Sequence, residues 1–276
     1  MSLGGRLSST GRRTLCERLI VEVGGYLRNV VREPHVTCAV CATPIKPAFD
    51  RCLRCWRDQQ QFGDDLADLV VPVCYGIRGR QSGYLMHSYK DLEAPARNNQ
   101  TLLSVLLLVA LDLHGECIER PLGHGVDVWA FVPSVRTDRT GEHPLHVVAK
   151  RAGVALPEIQ LRTGERADPE QRVTSADRFA LAVNSHVRGR HVLLIEDTWT
   201  SGGNAQSAAL TLRREDRSAD DCPAGGPASL SQRGDCRVST TGAPRSPNDA
   251  AADQHLTSIV VPVCAMAEIR CWCHTR

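Results

Sequence analysis

Two adjacent carboxylates and a short run of hydroxyl and glycine residues form the segment with the clearest chemistry. Glu196 and Asp197 follow the apolar run 192–195, and residues 198–204 are mostly small or hydroxylic. Glycine lets a backbone approach an anion, and a helix that begins here offers unpaired N–H groups and the positive end of its dipole. Carboxylates at a strand end can accept hydrogen bonds from vicinal ribose hydroxyls. The pattern predicts a sugar-phosphate site. Its expected phosphate-binding residues are Thr198, Thr200, Ser201, Gly202 and Gly203.

Two other kinds of phosphate loop do not fit this segment. A nucleoside-triphosphatase loop has the form G-x-x-x-x-G-K-[ST], and no lysine follows Gly202 and Gly203. A dinucleotide site has G-x-G-x-x-G between a strand and a helix, and that spacing does not occur in the sequence. A sugar phosphate therefore remains the favoured ligand.

Four cysteines form a second constellation, arranged as two C-x-x-C pairs. Cys38 and Cys41 make the first pair and Cys52 and Cys55 the second, with ten residues between the pairs. Each pair can place two thiolates on one metal ion, and four thiolates complete a closed tetrahedral zinc site with a structural role. The alternative is four buried thiols without a metal. Trp56 is expected to pack over the cysteines.

Composition and charge are those of an ordinary soluble domain. The chain has 276 residues, 42% hydrophobic and 23% charged, with a formal net charge of +2. That near balance excludes a strongly basic nucleic-acid coat and an acidic solvating tail as the main identity. The basic residues near the cysteines indicate a solvated surface rather than a nucleic-acid interface. They are Lys46, Arg51, Arg54 and Arg57.

The apolar pattern favours a cytoplasmic protein with no membrane span. Segment 1–25 has no apolar run typical of a signal peptide. The longest apolar stretch is 105–111, and an extension to residue 113 crosses Asp112. Even the extended stretch is far shorter than the roughly 20 residues that cross a bilayer. In a reducing compartment, the 12 cysteines are expected to bind metal or to remain buried thiols rather than to form disulfides.

Hydrophobic periodicity predicts the elements that position these residues. The expected helices are 15–27, 98–113, 144–151 and 204–213, and the expected strands are 69–73, 126–132 and 192–195. Segment 161–177 is polar and is predicted to be a loop. Strands alternating with helices indicate an α/β domain with a mostly parallel sheet flanked by helices. Such sheets bind ligands at the carboxyl ends of their strands.

The composition changes abruptly after residue 214. Between residues 215 and 255 the only large apolar side chains are Leu230 and Val238. Too little apolar surface remains for a core, so 215–276 is predicted to be a low-complexity, disordered tail. A change of reading frame near residue 214 is the alternative. Residues 259–263 could add a last strand, which Pro262 would confine to a sheet edge.

Segment 193–202 resembles the phosphoribosyl-diphosphate (PRPP) signature of type I phosphoribosyltransferases, in which two acids and a Thr-rich turn follow an apolar strand. The resemblance implies that Glu196 and Asp197 hold the ribose hydroxyls and that 198–202 cradle the 5′-phosphate. It also implies Mg²⁺, bound together with PRPP. The family's diphosphate loop follows the first core strand, here 126–132, so Arg136 and Arg139 become candidate diphosphate ligands. A solvated arginine-rich turn is the alternative for these two residues.

A four-cysteine ribbon ahead of such a domain resembles the ComF family, which is linked to competence. The order agrees: the ribbon comes first, then an element at 88–90, a strand and the phosphate motif. The resemblance divides the chain into an N-terminal extension, a zinc ribbon, a phosphoribosyltransferase-like domain and the tail. Their ranges are 1–33, 34–60, 61–214 and 215–276.

The function implied is PRPP binding with Mg²⁺, followed by phosphoribosyl transfer to or from a nucleobase or amine with diphosphate exchange. The acid pair supports this enzymatic interpretation. Segment 132–144 departs from the family pattern and supports the alternative. That alternative is a catalytically silent relative that binds PRPP or a nucleotide, or that contacts single-stranded DNA or the competence machinery during DNA uptake.

Overall fold

The computed structural model describes residues 7–91, 94–135, 141–165, 167–168, 170–171, 173–218 and 257–262. Its helices are α1 (Ser9–Val23), α2 (Leu53–Phe62), α3 (Gln81–Ser88), α4 (Ala94–Glu119), α5 (Pro144–Arg151) and α6 (Gly203–Ser218). Its strands are β1 (Arg28–Asn29), β2 (Leu69–Val70), β3 (Cys74–Tyr75), β4 (Val128–Phe131), β5 (Leu161–Thr163), β6 (Phe179–Leu181), β7 (His191–Glu196) and β8 (Thr257–Pro262).

A four-stranded parallel sheet organises the fold, in the order β2-β8-β7-β4. The pairing of β4 with β7 sets Val128 opposite Val192 and Phe131 opposite Ile195. The carboxyl ends of both strands therefore lie at the same edge. The two remaining sheets are small antiparallel pairs, β1 with β3 and β5 with β6. The described residues thus form a mixed α/β structure with a small parallel sheet.

Strand β7 is buried on both faces, which explains its continuous apolar sequence. Leu193 and Ile195 pack in the core formed with α1, α3, α4 and α5. Val192 and Leu194 point to the opposite face, where α6 covers them with a stripe of alanines. This alternation follows the two-residue period of a strand. The sheet is therefore held between two helical layers, and β7 carries the acid pair to its edge.

Several predicted elements are present, although some are longer and others shorter than expected. The helix at 144–151 is found as predicted, and Gly153 ends it with a φ of +70°. The predicted helix 98–113 extends over Ala94–Glu119, and 204–213 extends over Gly203–Ser218. The predicted strand 69–73 keeps only Leu69–Val70.

The polar segment 161–177 was expected to be a loop, and the structure corrects its first residues. Leu161 and Thr163 pair with Leu181 and Phe179 in an antiparallel ladder. Each strand has only three residues, which is too short for an alternating pattern to stand out. Phe179 is fully buried, so the pair is anchored to the α6 side of the core.

The last strand lies inside the sheet, so the prediction of an edge position for residues 259–263 was wrong. β8 pairs with β7 along its whole length and with β2 through Ile259 and Val260 only. Among the described residues, β2 pairs with β8 only at Ile259 and Val260, so the missing N–H of Pro262 interrupts no ladder with β2. The rest of the predicted tail, apart from 215–218, is outside the described residues.

One described segment has the length and composition of a membrane span, Arg97–Leu122. Half of its most apolar window is buried against the rest of the protein. Leu106, Leu107 and Leu111 lie in the main core, next to α5 and the sheet. Burial of this kind is typical of a core helix.

Candidate functional site

An open cavity of about 620 Å³ lies at the carboxyl ends of β4 and β7. Segment 132–135 lines it on the β4 side, and the acid pair with its following loop lines it on the β7 side. Three basic side chains complete the wall: Arg78, Lys90 and Arg178. The cavity therefore joins carboxylates, hydroxyls and cations at the sheet edge where parallel folds bind ligands.

The structure brings all the predicted sugar-phosphate residues together on this cavity. Glu196 is the last residue of β7 and is only 5% exposed, and Asp197 follows it at the cavity wall. Gly202 has a φ of +77°, a conformation that costs little only for glycine. Its carbonyl accepts the Gln206 N–H at 2.8 Å, which joins the loop to α6. The predicted phosphate ligands that line the cavity are Thr198, Thr200, Ser201, Gly202 and Gly203.

Asp197 is held by two neighbouring side chains from the end of α3. The Tyr89 hydroxyl donates to Asp197 Oδ2 at 3.0 Å, and the Lys90 ammonium forms an ion pair with the same oxygen. Tyr89 is fully buried, so its hydroxyl has a fixed position. Sequence reasoning used residues 88–90 as a family landmark but gave them no role. Their contact with an acid more than a hundred residues away has no local signal in the sequence.

Arg178 is a buried cation at the base of the loop. Its Nε donates to Asn204 Oδ1 at 2.7 Å, and its other nitrogens donate to the carbonyls of Asp168 and Gln171. Burial lowers the pKa of Arg178 from its ordinary value, and the Asp168 carboxylate opposes that effect. The guanidinium therefore fixes the first turn of α6 while adding positive charge to the cavity wall. Sequence reasoning missed this residue.

Trp199 is the one residue of 196–204 that does not line the cavity. Its half-buried indole packs instead against the four-cysteine cluster and against the core beneath α6. The ring also lies over Gly202, where a Cβ would overlap it. The loop thus alternates, with polar side chains toward the cavity and the indole toward the cysteines. Trp56, which was expected to cover the cysteines, is half exposed, and Trp199 packs there instead.

The four cysteines form a compact cluster that can hold a metal ion. The sulfur atoms of Cys38, Cys41, Cys52 and Cys55 all lie within 4.8 Å of one another. Cys52 caps the N-terminus of α2, and its sulfur accepts the Cys55 N–H at 3.5 Å. Four sulfurs at such distances match the tetrahedral thiolate set that zinc prefers. The predicted zinc ligands therefore do converge.

The thiols of this cluster shift one another's acidity in opposite directions. Hydrogen bonds from Cys41, Cys52 and Cys55 lower the pKa of Cys38, whereas contacts with its three partners raise the pKa of Cys55. Four thiolates so close together need a cation to offset their repulsion. A bound zinc ion would supply that charge and favour the deprotonated sulfurs.

The cysteine segment is attached to the parallel sheet by several hydrogen bonds. Arg32 donates to the carbonyls of Ala39 and Val40 and to that of Val70 in β2. On the other side, the Thr174 hydroxyl donates to a buried Asp58 carboxylate oxygen at 3.0 Å. The cluster is therefore fixed against the domain that carries the cavity.

Some predicted site residues lie outside the described part of the chain. Arg136 and Arg139, expected to clamp a diphosphate, are among them. His143, a neighbour of that segment, does line the cavity and caps α5 by accepting the Leu145 N–H at 3.3 Å. Sequence reasoning gave this histidine no role.

Comparisons with known proteins leave the family open. No protein-family model matches the chain, and no solved structure matches it. One curated protein is similar in part: the tRNA pseudouridine synthase B of Pseudomonas fluorescens (strain Pf0-1), 32% identical over 120 residues. The alignment covers 43% of this chain and 37% of that synthase. With little more than a third of the synthase matched, its activity is not carried over to this chain.

Proposed function

We propose that this protein binds PRPP with Mg²⁺ and is a phosphoribosyltransferase-like protein of the ComF type. One observation carries the proposal: the acid pair at the end of β7 and the loop 198–203 line a single cavity together with three cations. Glu196 and Asp197 would accept hydrogen bonds from the ribose 2′ and 3′ hydroxyls. The loop and the start of α6 would hold the 5′-phosphate.

The charges of the cavity suit a ligand with a phosphate at one end and a diphosphate at the other. Arg78, Lys90 and Arg178 lie on the same wall as the carboxylates. Guanidinium and ammonium groups form strong, charge-assisted hydrogen bonds with phosphate oxygens. Lys90 already pairs with Asp197, so it neutralises one acid before a polyanionic ligand arrives.

Carboxylates around the cavity fit Mg²⁺, which prefers a few acidic oxygens together with substrate oxygens and water. The available groups are Asp91, Glu196 and Asp197. When bound, Mg²⁺ would offset the diphosphate charge as it leaves the ribose. The protein's own contribution is to orient the ribose through the acid pair and to surround it with fixed polar groups.

Calorimetric titration of PRPP, with Mg²⁺ in excess, tests the binding claim. Wild type should bind, and the double variant Glu196→Gln, Asp197→Asn should lose at least about tenfold in affinity because each hydrogen bond to a charged acceptor contributes strongly. Asp177→Asn is the matched control, since this exposed acid is outside the cavity and pairs with Arg214. A folded wild type that shows no binding would overturn the proposal.

Enzymatic transfer and silent binding are separated by diphosphate release. Nucleobases and amines, the two proposed classes of acceptor, should be screened with bound PRPP. Release that depends on an acceptor and on the acid pair supports a transferase. Binding of PRPP without diphosphate release, with every acceptor tested, supports a catalytically silent protein that binds PRPP or a nucleotide.

DNA binding that weakens steeply with salt would support the role in DNA uptake. The cytoplasmic location is part of the same proposal.

A further inference from the structure

The phosphate loop and the four-cysteine cluster share one side chain. Trp199 belongs to the loop 198–203, yet its indole packs against the cluster together with Val40 and Ile45. Cys52, one of the four predicted zinc ligands, is on the same contact surface. The other residues of the loop line the cavity, and Trp199 is not among the cavity-lining residues. One loop therefore contacts both the cluster and the ligand cavity.

The contact between Trp199 and Gly202 makes the loop sensitive to the position of the indole. Gly202 is held at a φ of +77° directly under the ring, and no side-chain atom fits between them. Ser201, on the cavity side, precedes this glycine, and Gly203 starts α6. A displacement of the indole therefore shifts the backbone that forms the phosphate cradle.

The indole depends in turn on the arrangement of the cysteines. A metal ion would draw the four sulfurs to one centre and fix the backbone around Cys52 and the side chains of Val40 and Ile45. Without the metal, the four sulfurs share no common ligand, so this surface loses the cross-link that would hold it together. The packing that holds Trp199 would then loosen.

We propose that metal binding by the four cysteines sets the phosphate affinity of the loop 198–203, with Trp199 as the positioning residue that couples the two sites. The identity of the loop's ligand rests on the proposed function, whereas the coupling between the two sites rests on the packing of Trp199. Zinc stabilises the position of the indole, and the indole stabilises the cradle. By linkage, a ligand in the cradle must strengthen zinc binding by the same factor.

The affinity for PRPP and for inorganic phosphate should be measured on the full chain, zinc-loaded and zinc-stripped. The chelator is removed before the titration so that the concentration of free Mg²⁺ is the same for both forms of the protein. We expect zinc removal to weaken binding of both ligands about tenfold, within the usual range of coupling between sites. Competition with a chromophoric chelator should show that PRPP raises zinc affinity by the same factor. Zinc transfer to the chelator leaves stripped protein, so PRPP would also raise the zinc affinity if the stripped form unfolded. Only an effect that is lost in Trp199→Ala therefore supports the local coupling.

Two substitutions at Trp199 test whether this residue couples the zinc site to the phosphate-binding loop. Trp199→Ala should keep the zinc content but bind PRPP more weakly, and added PRPP should no longer change its zinc affinity. Trp199→Phe, which keeps an aromatic ring over Gly202, should restore part of the coupling. Trp56→Phe is the control, because this tryptophan is half exposed and is not among the side chains packed on the cluster.

The outcomes separate the coupling from the proposed function. If zinc-loaded wild type binds neither PRPP nor phosphate, both proposals fail. If it binds them equally well with and without zinc, and PRPP leaves the zinc affinity unchanged, only the coupling fails. A Trp199→Ala variant that keeps the full reciprocal effect would overturn the role of the indole. The emission of Trp199 is obtained by subtracting the fluorescence of Trp199→Phe from that of wild type. If zinc removal leaves this emission unchanged, the role of the indole is likewise overturned.

Discussion

The Tyr89 hydroxyl donates a hydrogen bond of 3.0 Å to the carboxylate of Asp197, across 108 positions of the chain. Tyr89 is buried at the end of α3, and Asp197 is at the end of β7. The acid that is proposed to bind ribose is therefore oriented by a residue that does not itself need to touch the ligand.

Tyr89→Phe should weaken PRPP binding while the fold is retained. The ring still fills its buried position, and only the hydrogen bond to Asp197 is lost. We expect an affinity loss of about tenfold, because hydrogen bonds to charged groups contribute about 1.5–3 kcal/mol. Titration calorimetry measures the loss, and Tyr26→Phe, on the α1 side of the core, is the matched control. Equal affinities for the two variants would show that Tyr89 does not orient the acid.

Gly202→Ala should destabilise the protein more than an ordinary glycine replacement. Alanine must adopt a positive φ and also displace the indole of Trp199. Together these effects should lower the free energy of unfolding by about 2–4 kcal/mol. Gly153→Ala is the control, since Gly153 also has a positive φ but open space around its Cβ position. Denaturant unfolding of both variants should show the larger loss for Gly202. Equal losses would mean that the indole contact is not tight.

Cys52→Ser should abolish tight zinc binding and lower the melting temperature. The change leaves three sulfurs where the closed site needs four. Metal analysis of wild type after gel filtration should give about one zinc ion per chain, as such a site predicts. Cys16→Ser, a change in α1 outside the cluster, should keep the metal. Unchanged zinc content in Cys52→Ser would contradict the assignment of this ligand.

Stability should fall as the pH drops below about 6.5, the ordinary pKa of histidine. Burial lowers the pKa of His191, and the stacked ring of His124 adds to the effect. The unfolded chain then binds more protons than the folded one, so the stability present above that pH is lost as acid is added. His191→Gln should flatten the decline relative to wild type, whereas the exposed His186→Gln should leave it unchanged. Parallel slopes for all three proteins would contradict this contribution.

Local patterns were enough to predict the parts of the fold and site that depend on neighbouring residues. The helix 144–151 has proline near its start and glycine after its end, and both act within one turn. The four cysteines converge because each C-x-x-C pair already places two sulfurs together, and only one short loop must close. The acid pair and the loop, residues 196–203, are contiguous in the sequence. The strand before them and the helix after them are therefore enough to place them on one cavity.

The remaining features depend on contacts between distant segments. Tyr89 and Lys90 reach Asp197 only because α3 packs beside the end of β7, which no local pattern encodes. Strand β8 lies between β2 and β7 in the sheet, whereas Pro262 in its sequence pointed to an edge position. Trp199 packs on the cysteines only because the cysteine segment lies against the loop, and no local sequence pattern indicates this contact.

The most direct test of the central claim compares two sugar phosphates, ribose 5-phosphate and 2-deoxyribose 5-phosphate, on wild type and on Glu196→Gln, Asp197→Asn. Both ligands keep the 5′-phosphate, so the ratio of their dissociation constants reports only recognition of the 2′ hydroxyl. We expect wild type to favour ribose 5-phosphate by about tenfold, since one hydrogen bond to a carboxylate is lost with the deoxy sugar. The double variant should show a ratio near one while still binding both phosphates. Equal affinities in wild type, or a preference that survives in the double variant, would contradict a ribose-binding acid pair.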